Sequence, residues 1–341
     1  TKLTMHSQGS SASQGVMVLR RSEVLKVLSM KDEIATVEEA FREKGMNAVQ
    51  MPPKQYLFLE GGDLRAMPAY LPRLGIAGVK VVNVHPGNRE RGLPSVMAVI
   101  ELVDPYTGRP LAIVDGTEIT AYRTGAASAV ATKYLSRDDS SKLCIVGAGA
   151  QSRRQLEAIV EVRDIRKVFA YDVVRAAAEG LVRYAESMGR NLSAEVADAP
   201  RECVESADVL VTATPAKAPV VLNDWVKPGT HINAIGADAP GKEELDPAIL
   251  LRSKIVVDDY EQTIHSGEIN VPISRGILRK DQIYGELGEI VAGKKPGRTS
   301  RDEVTVFDST GVGILDVATA FSVMRAAGAR GLGLMVSELG L

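Results

Sequence analysis

From residue 142 onward, short apolar runs alternate with amphipathic stretches. Lys142–Val146, Val168–Tyr171, Val209–Thr214, His231–Ala237 and Lys254–Asp258 are mostly apolar and rich in β-branched residues, as strands buried on both faces must be. Helical segments separate them, so the pattern predicts a parallel, doubly wound α/β sheet. Val304–Phe307 reads as a last strand. A helix is expected from near Gly311 to about Ala327, opened and capped by AspSerThrGly at 308–311.

Before residue 142 the pattern differs. Met17 to about Gly45 reads as helical, with Thr36 capping a helix that buries Val37, Ala40 and Phe41. Strands are expected at Gln55–Leu59, at 63–72 and at Ala77–Val84. Val96–Val103 and Leu111–Asp115 flank a Pro/Gly turn and should form a hairpin. Residues 117–135 form a helix of alanines and other small residues, able to pack closely on neighbouring backbone.

Composition narrows the possible partners. The 341 residues correspond to about two domains at ~150 residues each. Lys+Arg 41 against Asp+Glu 43 leaves a formal charge of -2, so no global basic excess draws the chain to nucleic acid or an anionic membrane. No run of 18 apolar residues marks a transmembrane helix. The polar first residues, 1–16, read as a disordered leader or tag. Two cysteines, Cys144 in a strand and Cys203 on a helix, are read as packing residues in a reducing, cytoplasmic protein. The four histidines lack metal-ligand spacing, so no metal site is expected.

The clearest chemical signal is LysLeuCysIleValGlyAlaGlyAlaGlnSer at 142–152, a strand entering a glycine turn and a helix. Gly147 permits the tight turn, Gly149 lets a pyrophosphate approach backbone, and the helix beginning near Gln151 offers free N–H groups. Ser152 stands where Gly or Ala is usual, so the fingerprint is imperfect. Asp172, ending the next strand, would accept ribose hydroxyls and repel a 2′-phosphate, favouring NAD over NADP. Arg175 could partly offset that preference. Thr212 and Thr214, and Ser309 near the last helix, are either structural caps or hydroxyls facing the cofactor.

A second signal is local charge. Between Leu64 and Arg89 stand Arg65, Arg73, Lys80 and Arg89 with no acid; Arg73 and Arg89 read as solvated surface. Lys80 lies inside an apolar strand and faces either solvent or a site. Arg123, among small residues, needs an anion if buried, either a fixed carboxylate or a ligand. Together these residues fit a pocket for a small acid. Asp238, in a Gly/Pro loop after a strand, is either a turn residue or a carboxylate able to hold a cationic nitrogen and shuttle its proton.

Seven segments then coincide with one family: MetProProLys at 51–54, AspLeuArgAlaMetProAla at 63–69, LysValValAsnValHisProGlyAsn at 80–88, ThrAlaTyrArgThrGlyAlaAlaSer at 120–128, ValGlyAlaGlyAlaGln at 146–151, GlyAlaAspAlaProGlyLysGluGluLeu at 236–245 and PheAspSerThrGly at 307–311. In this the chain resembles the ornithine cyclodeaminase/mu-crystallin family, with motifs most similar to its archaeal-type alanine dehydrogenases. The resemblance implies a Rossmann NAD-binding domain at 131–311. It also implies an α+β substrate and dimerisation domain at 17–130 plus 312–341. By the same resemblance Lys80 and Arg123 bind the substrate carboxylate, and Asp238 is the catalytic acid/base. Lys54 and Arg65 lie beside the substrate, and Gly147, Gly149, Ala150, Gln151 and Asp172 hold NAD(H). Cyclodeaminases resemble one another in an acidic residue where this chain has Arg65, so ornithine's distal ammonium is disfavoured here. The expected reaction is NAD-linked reductive amination of a small 2-oxo acid, with ammonia as partner, in a homodimer. The alternatives are a cyclic ketimine reductase, an ornithine cyclodeaminase and a non-enzymatic mu-crystallin-like binding protein.

Overall fold

A computed structural model describes residues 15–340, less the side chain of Arg89. Residues 1–14, most of the expected leader, lie outside the described residues, and Arg89 as a surface residue falls outside them too. Gly15 and Val16 do not belong to a leader. They begin a strand, Gly15–Leu19, where the pattern had predicted helix. That strand is short and apolar, and its pairing on both sides overrides the local helical preference.

Two sheets organise the chain. The first has seven strands in the order Leu334–Ser337, Gly15–Leu19, Pro110–Asp115, Val96–Val103, Ile76–Val84, Gly62–Leu71 and Gln55–Leu59. Its last five strands form an antiparallel run. The second sheet has eight strands, Ile283–Glu286, Lys254–Val257, Thr305–Asp308, His231–Ala234, Val209–Thr212, Lys142–Val146, Lys167–Tyr171 and Ser193–Val196, all parallel. This is the expected doubly wound α/β sheet. The strands at 193–196, 283–286 and 334–337 are only four residues long, too short to stand out in sequence.

Helix Met30–Gly45 is capped by Ser29, whose hydroxyl accepts from Asp32 N. Thr36 therefore lies mid-helix rather than at a cap, and its hydroxyl donates back to Asp32 O. The small-residue helix Thr117–Leu135 lies against both sheets. A Cβ on its Gly125 would sit 2.4 Å from Arg154 O, so glycine permits the close approach of helix Ser152–Val162. The last helix, Gly313–Ala329, starts two residues later than expected and returns to pack on the first sheet. Its flanking residue Val312 makes no side-chain cap. Among the described residues no helix is long and apolar enough to cross a membrane.

One expectation fails outright. Cys144 and Cys203 are joined in a disulfide across 59 residues of sequence, and both are fully buried. Their strand and helix carry apolar neighbours, which is why they read as packing alone. The crosslink ties the strand that feeds the glycine turn to helix Pro200–Ser206. By the loop-closure argument it restrains the unfolded chain, and we expect the Cys144→Ser/Cys203→Ser variant to lose about 2–4 kcal/mol. Urea denaturation checks this; an unchanged midpoint and slope would show that the bond contributes nothing.

Candidate active site

Strand Ile76–Val84 presents its even-numbered residues inward, so Lys80 faces the core beside Met67 and Ile100 on the neighbouring strands. This settles its direction: Lys80 is 1% exposed. Its ammonium donates to Asp316 Oδ1 at 2.6 Å and to Thr120 Oγ1 at 3.3 Å. Arg123 Nε donates to the same Asp316 oxygen at 2.9 Å. The anion that Arg123 required is thus a fixed carboxylate, supplied by the returning helix. Burial drives the Lys80 ammonium down to about 7, Arg123 adds to the effect, and Asp316 opposes it.

Opposite this pair, the half-buried Asp238 accepts from Arg65 at 3.2 Å and from Lys242 at 2.5 Å. Removal from water would raise its carboxyl, but Lys242 and Arg65 outweigh that and hold it down at about 2. Arg65 is itself fixed by two bonds to Asp63, at 2.7 and 3.1 Å, and lies over the Tyr56 ring. Lys54 donates to Thr310 O at 2.5 Å. Burial lowers its ammonium to about 8, Arg65 and Arg123 add to this, and Asp238 partly offsets it.

Lys54, Arg65, Lys80, Arg123, Asp238 and Ser309 line one cavity of about 130 Å³, together with Thr120, Thr310 and Gln151. Its apolar walls are Met67, Val82, Val84, Val96 and Ile235. The first sheet contributes Lys80 and Arg65, and the loops after second-sheet strands contribute Asp238 and Ser309. The cavity therefore lies at the carboxyl ends of the parallel strands, where open α/β sheets bind ligands.

The glycine turn adjoins this cavity through Gln151. Gly147 has φ +99, and a Cβ there would meet Ala213 O at 2.6 Å. A Cβ on Gly149 would meet nothing within 4 Å, so that side of the turn stays open to a ligand. Ser152 explains the irregular fingerprint, because its hydroxyl donates to Gly149 O at 2.7 Å and closes the turn. Asp172 accepts from Ala148 N and from Val174 N, both at 2.8 Å, and so fixes the turn from the next strand end.

Three residues expected near the cofactor have protein partners of their own. Thr212 Oγ1 and Thr214 Oγ1 donate to the buried Glu244, at 2.8 and 2.7 Å. Arg175 is exposed and pairs with Asp198 and Glu179. Sequence reading missed Asp316, Lys242, Glu244 and Asp258. Asp258 accepts from Thr310 N and Gly311 N, both at 2.7 Å, and shapes the 309–311 loop. Asp308 is not a helix cap; it accepts from Glu268 N and Ile269 N. Asp316 lay inside an apolar helix, and a charge in that position was the signal available. His231 is buried between Thr305 and Asn233, and burial brings its imidazole down to about 3.

The family model described as "Ornithine cyclodeaminase/mu-crystallin family" matches residues 14–330. The chain belongs to that family. An alanine dehydrogenase of Archaeoglobus fulgidus is 50% identical over 317 residues, covering 93% of this chain and 97% of that protein. Among solved structures, an archaeal alanine dehydrogenase dimer with bound NAD superposes with TM-score 0.92 at 50% identity, covering 95% of this chain and 99% of the other. The Delta(1)-pyrroline-2-carboxylate reductase of Thermococcus litoralis, in complex with NADH and L-proline, superposes with TM-score 0.91. It is 42% identical, covering 94% of this chain and all of that one.

The shared carboxylate yields a stability prediction. Asp316→Asn leaves two buried cations without their counter-charge, and such a break costs about 3–5 kcal/mol. Chemical denaturation should show a loss of that order at pH 7; a change below about 1 kcal/mol, as for an exposed ion pair, would contradict the geometry.

Proposed function

We propose that the chain is an NAD-linked oxidoreductase acting on the CH–NH2 or C=N group of a small amino or imino acid. In the synthetic direction it reductively aminates a 2-oxo acid such as pyruvate with ammonia. One observation carries this reading: a single small cavity has a buried cation pair at one end, a carboxylate and a near-neutral lysine at the other, and the glycine turn beside it.

The glycine turn fits a dinucleotide. Gly149 leaves its surface clear, the helix from Ser152 opens there, and the buried Gln151 Oε1 has no protein partner. The pyrophosphate would take the N–H groups of Gly149, Ala150 and Gln151, since Gly147 N and Ala148 N donate to Tyr171 O and Asp172. Asp172 keeps lone pairs for ribose hydroxyls, and its charge favours NAD over NADP. When bound, NAD(H) supplies the hydride acceptor or donor. Relatives solved with NAD or NADH support the assignment.

Lys80 and Arg123 would hold the substrate carboxylate, directing C2 toward Asp238 and Lys54. Asp238, held ionised at neutral pH by Lys242 and Arg65, is suited to stabilise an ammonium or iminium rather than to donate a proton. Lys54, near 8, is the group poised to exchange a proton with the substrate oxygen or nitrogen. Fixing both ends of the acid contributes through orientation, and the placed charges offset those that develop during reaction.

By the family resemblance Arg65 stands in place of the acidic residue that receives ornithine's distal ammonium. Two like charges at ~4 Å cost about 4 kcal/mol at an effective dielectric of 20. A short or cyclic side chain on apolar walls suits the cavity better, so a cyclic imine such as pyrroline-2-carboxylate is the second substrate to try. In this reading the first sheet with the returning helix binds the acid, and the second sheet binds the dinucleotide. The exposed Leu57, Phe58 and Val99 on the first sheet suit it for pairing with a second copy, and an archaeal relative was solved as a dimer.

The test is NADH oxidation with pyruvate plus ammonia, with pyrroline-2-carboxylate, and with ornithine. Oxidation with one of the first two is expected, and none with ornithine. NADH stable against every acid would overturn the reading. Asp238→Asn should reduce turnover at least 10³-fold, a loss of about 4 kcal/mol in transition-state stabilisation, with NADH affinity unchanged by fluorescence titration.

A further inference from the structure

Beneath the cation pair lies a second buried acid that the mechanism leaves unused. Glu33, on helix Met30–Gly45, is 4% exposed, and its carboxyl meets Thr319 Oγ1 on the returning helix. Thr319 stands three residues after Asp316, on the same helix face. Its hydroxyl oxygen also lies 2.7 Å from Leu315 O. A hydroxyl has one hydrogen. A full two-centre bond at both contacts requires Glu33 to carry a proton and donate it to Thr319; an ionised Glu33 would have to share the one hydrogen with Leu315 O.

Charge arithmetic gives that proton a purpose. With Lys80 protonated, as it is when an anion binds beside it, Lys80⁺, Arg123⁺ and Asp316⁻ leave one surplus positive charge in the clamp, which matches one substrate carboxylate. A second buried anion at Glu33 would cancel the surplus, and Arg123 would be drawn toward it. We infer that Glu33 is a positioning residue that is kept as the neutral acid, and that its protonation leaves the Lys80–Arg123 clamp with the net charge needed to capture a carboxylate. The inference deepens the proposed function and rests on that reading for the identity of the ligand, an oxo or imino acid.

The charged groups acting on Glu33 are Asp316 on the returning helix, Arg123 on the small-residue helix and Asp32 on its own helix. Burial raises the Glu33 carboxyl to about 8, Asp316 and Asp32 raise it further, and Arg123 opposes them. The sign follows. Below that pH the acid is neutral and adds no negative charge beside Arg123. Above it, ionised Glu33 competes with the substrate carboxylate for Arg123.

Two measurements on the full chain test this. The first is independent of turnover: infrared difference spectra of wild type minus Glu33→Gln should show a protonated-carboxyl carbonyl stretch at pH 6.5 that vanishes by pH 9.5. Its absence at pH 6.5 would overturn the inference, whatever the substrate proves to be. The second measures the KM of pyruvate, with NADH and ammonia, against pH. Glu33→Gln should match wild type within about threefold at pH 7 and bind pyruvate about tenfold better at pH 9, with one fewer proton in the alkaline loss. The effect should fall on KM and leave kcat and NADH affinity alone. A tenfold loss of pyruvate affinity in Glu33→Gln at pH 7, or an unchanged alkaline limb, would show that Glu33 acts otherwise. If wild type turned over no acid while the carbonyl stretch was present, the proposed substrate would be wrong and the neutral acid would stand.

Discussion

A single carboxylate oxygen, Asp316 Oδ1, holds both cations of the clamp. Lys80 comes from the first sheet, Arg123 from the helix that joins the two sheets, and Asp316 from a helix nearly two hundred residues further along the chain. Neither cation could remain buried without a counter-charge, because isolated charges in a protein interior are strongly disfavoured. The pairing thus does two things. It docks the returning helix against the first sheet, and it stores positive charge where a small acid can reach it.

The opposite wall uses the reverse arrangement. There one carboxylate, Asp238, is held ionised between Arg65 and Lys242. The cavity thus presents an electropositive end and a fixed negative charge within a small volume, which is the charge pattern of an amino or imino acid. Positive charge at Arg65 also disfavours a second ammonium inside this cavity. Tyr56 and Asp63 hold the guanidinium in place, so it cannot readily move aside for a second ammonium.

Much of this was legible in sequence because the chemistry demanded unusual residues in ordinary places. A lysine inside an apolar strand, an arginine among alanines and glycines in a strand-to-helix turn all announced themselves. The parallel sheet was legible for a similar reason, since strands buried on both faces read as near-continuous apolar runs. What stayed hidden were the partners. Asp316 is one acid in a helix of apolar and small residues, and nothing local says that it faces Lys80 across 236 residues of chain. For Thr212 and Thr214 sequence left two readings open for the converse reason. Threonines after a strand look the same whether they meet a cofactor or, as here, Glu244. The strand at 15–19 and the Cys144–Cys203 bond were invisible because each depends on pairing with distant residues.

The central claim is that the Asp316-anchored cations form a site charged to capture a carboxylate. Lys80, depressed to about 7 by burial, loses much of its charge in the empty pocket at pH 8 and must regain it when an anion binds beside it. The direct measurement is calorimetric titration of pyruvate into the NADH-loaded protein at pH 8, without ammonia, in buffers of different ionisation enthalpy. The account predicts net uptake of a large fraction of a proton on binding. Binding with no proton uptake, or with release, would contradict it.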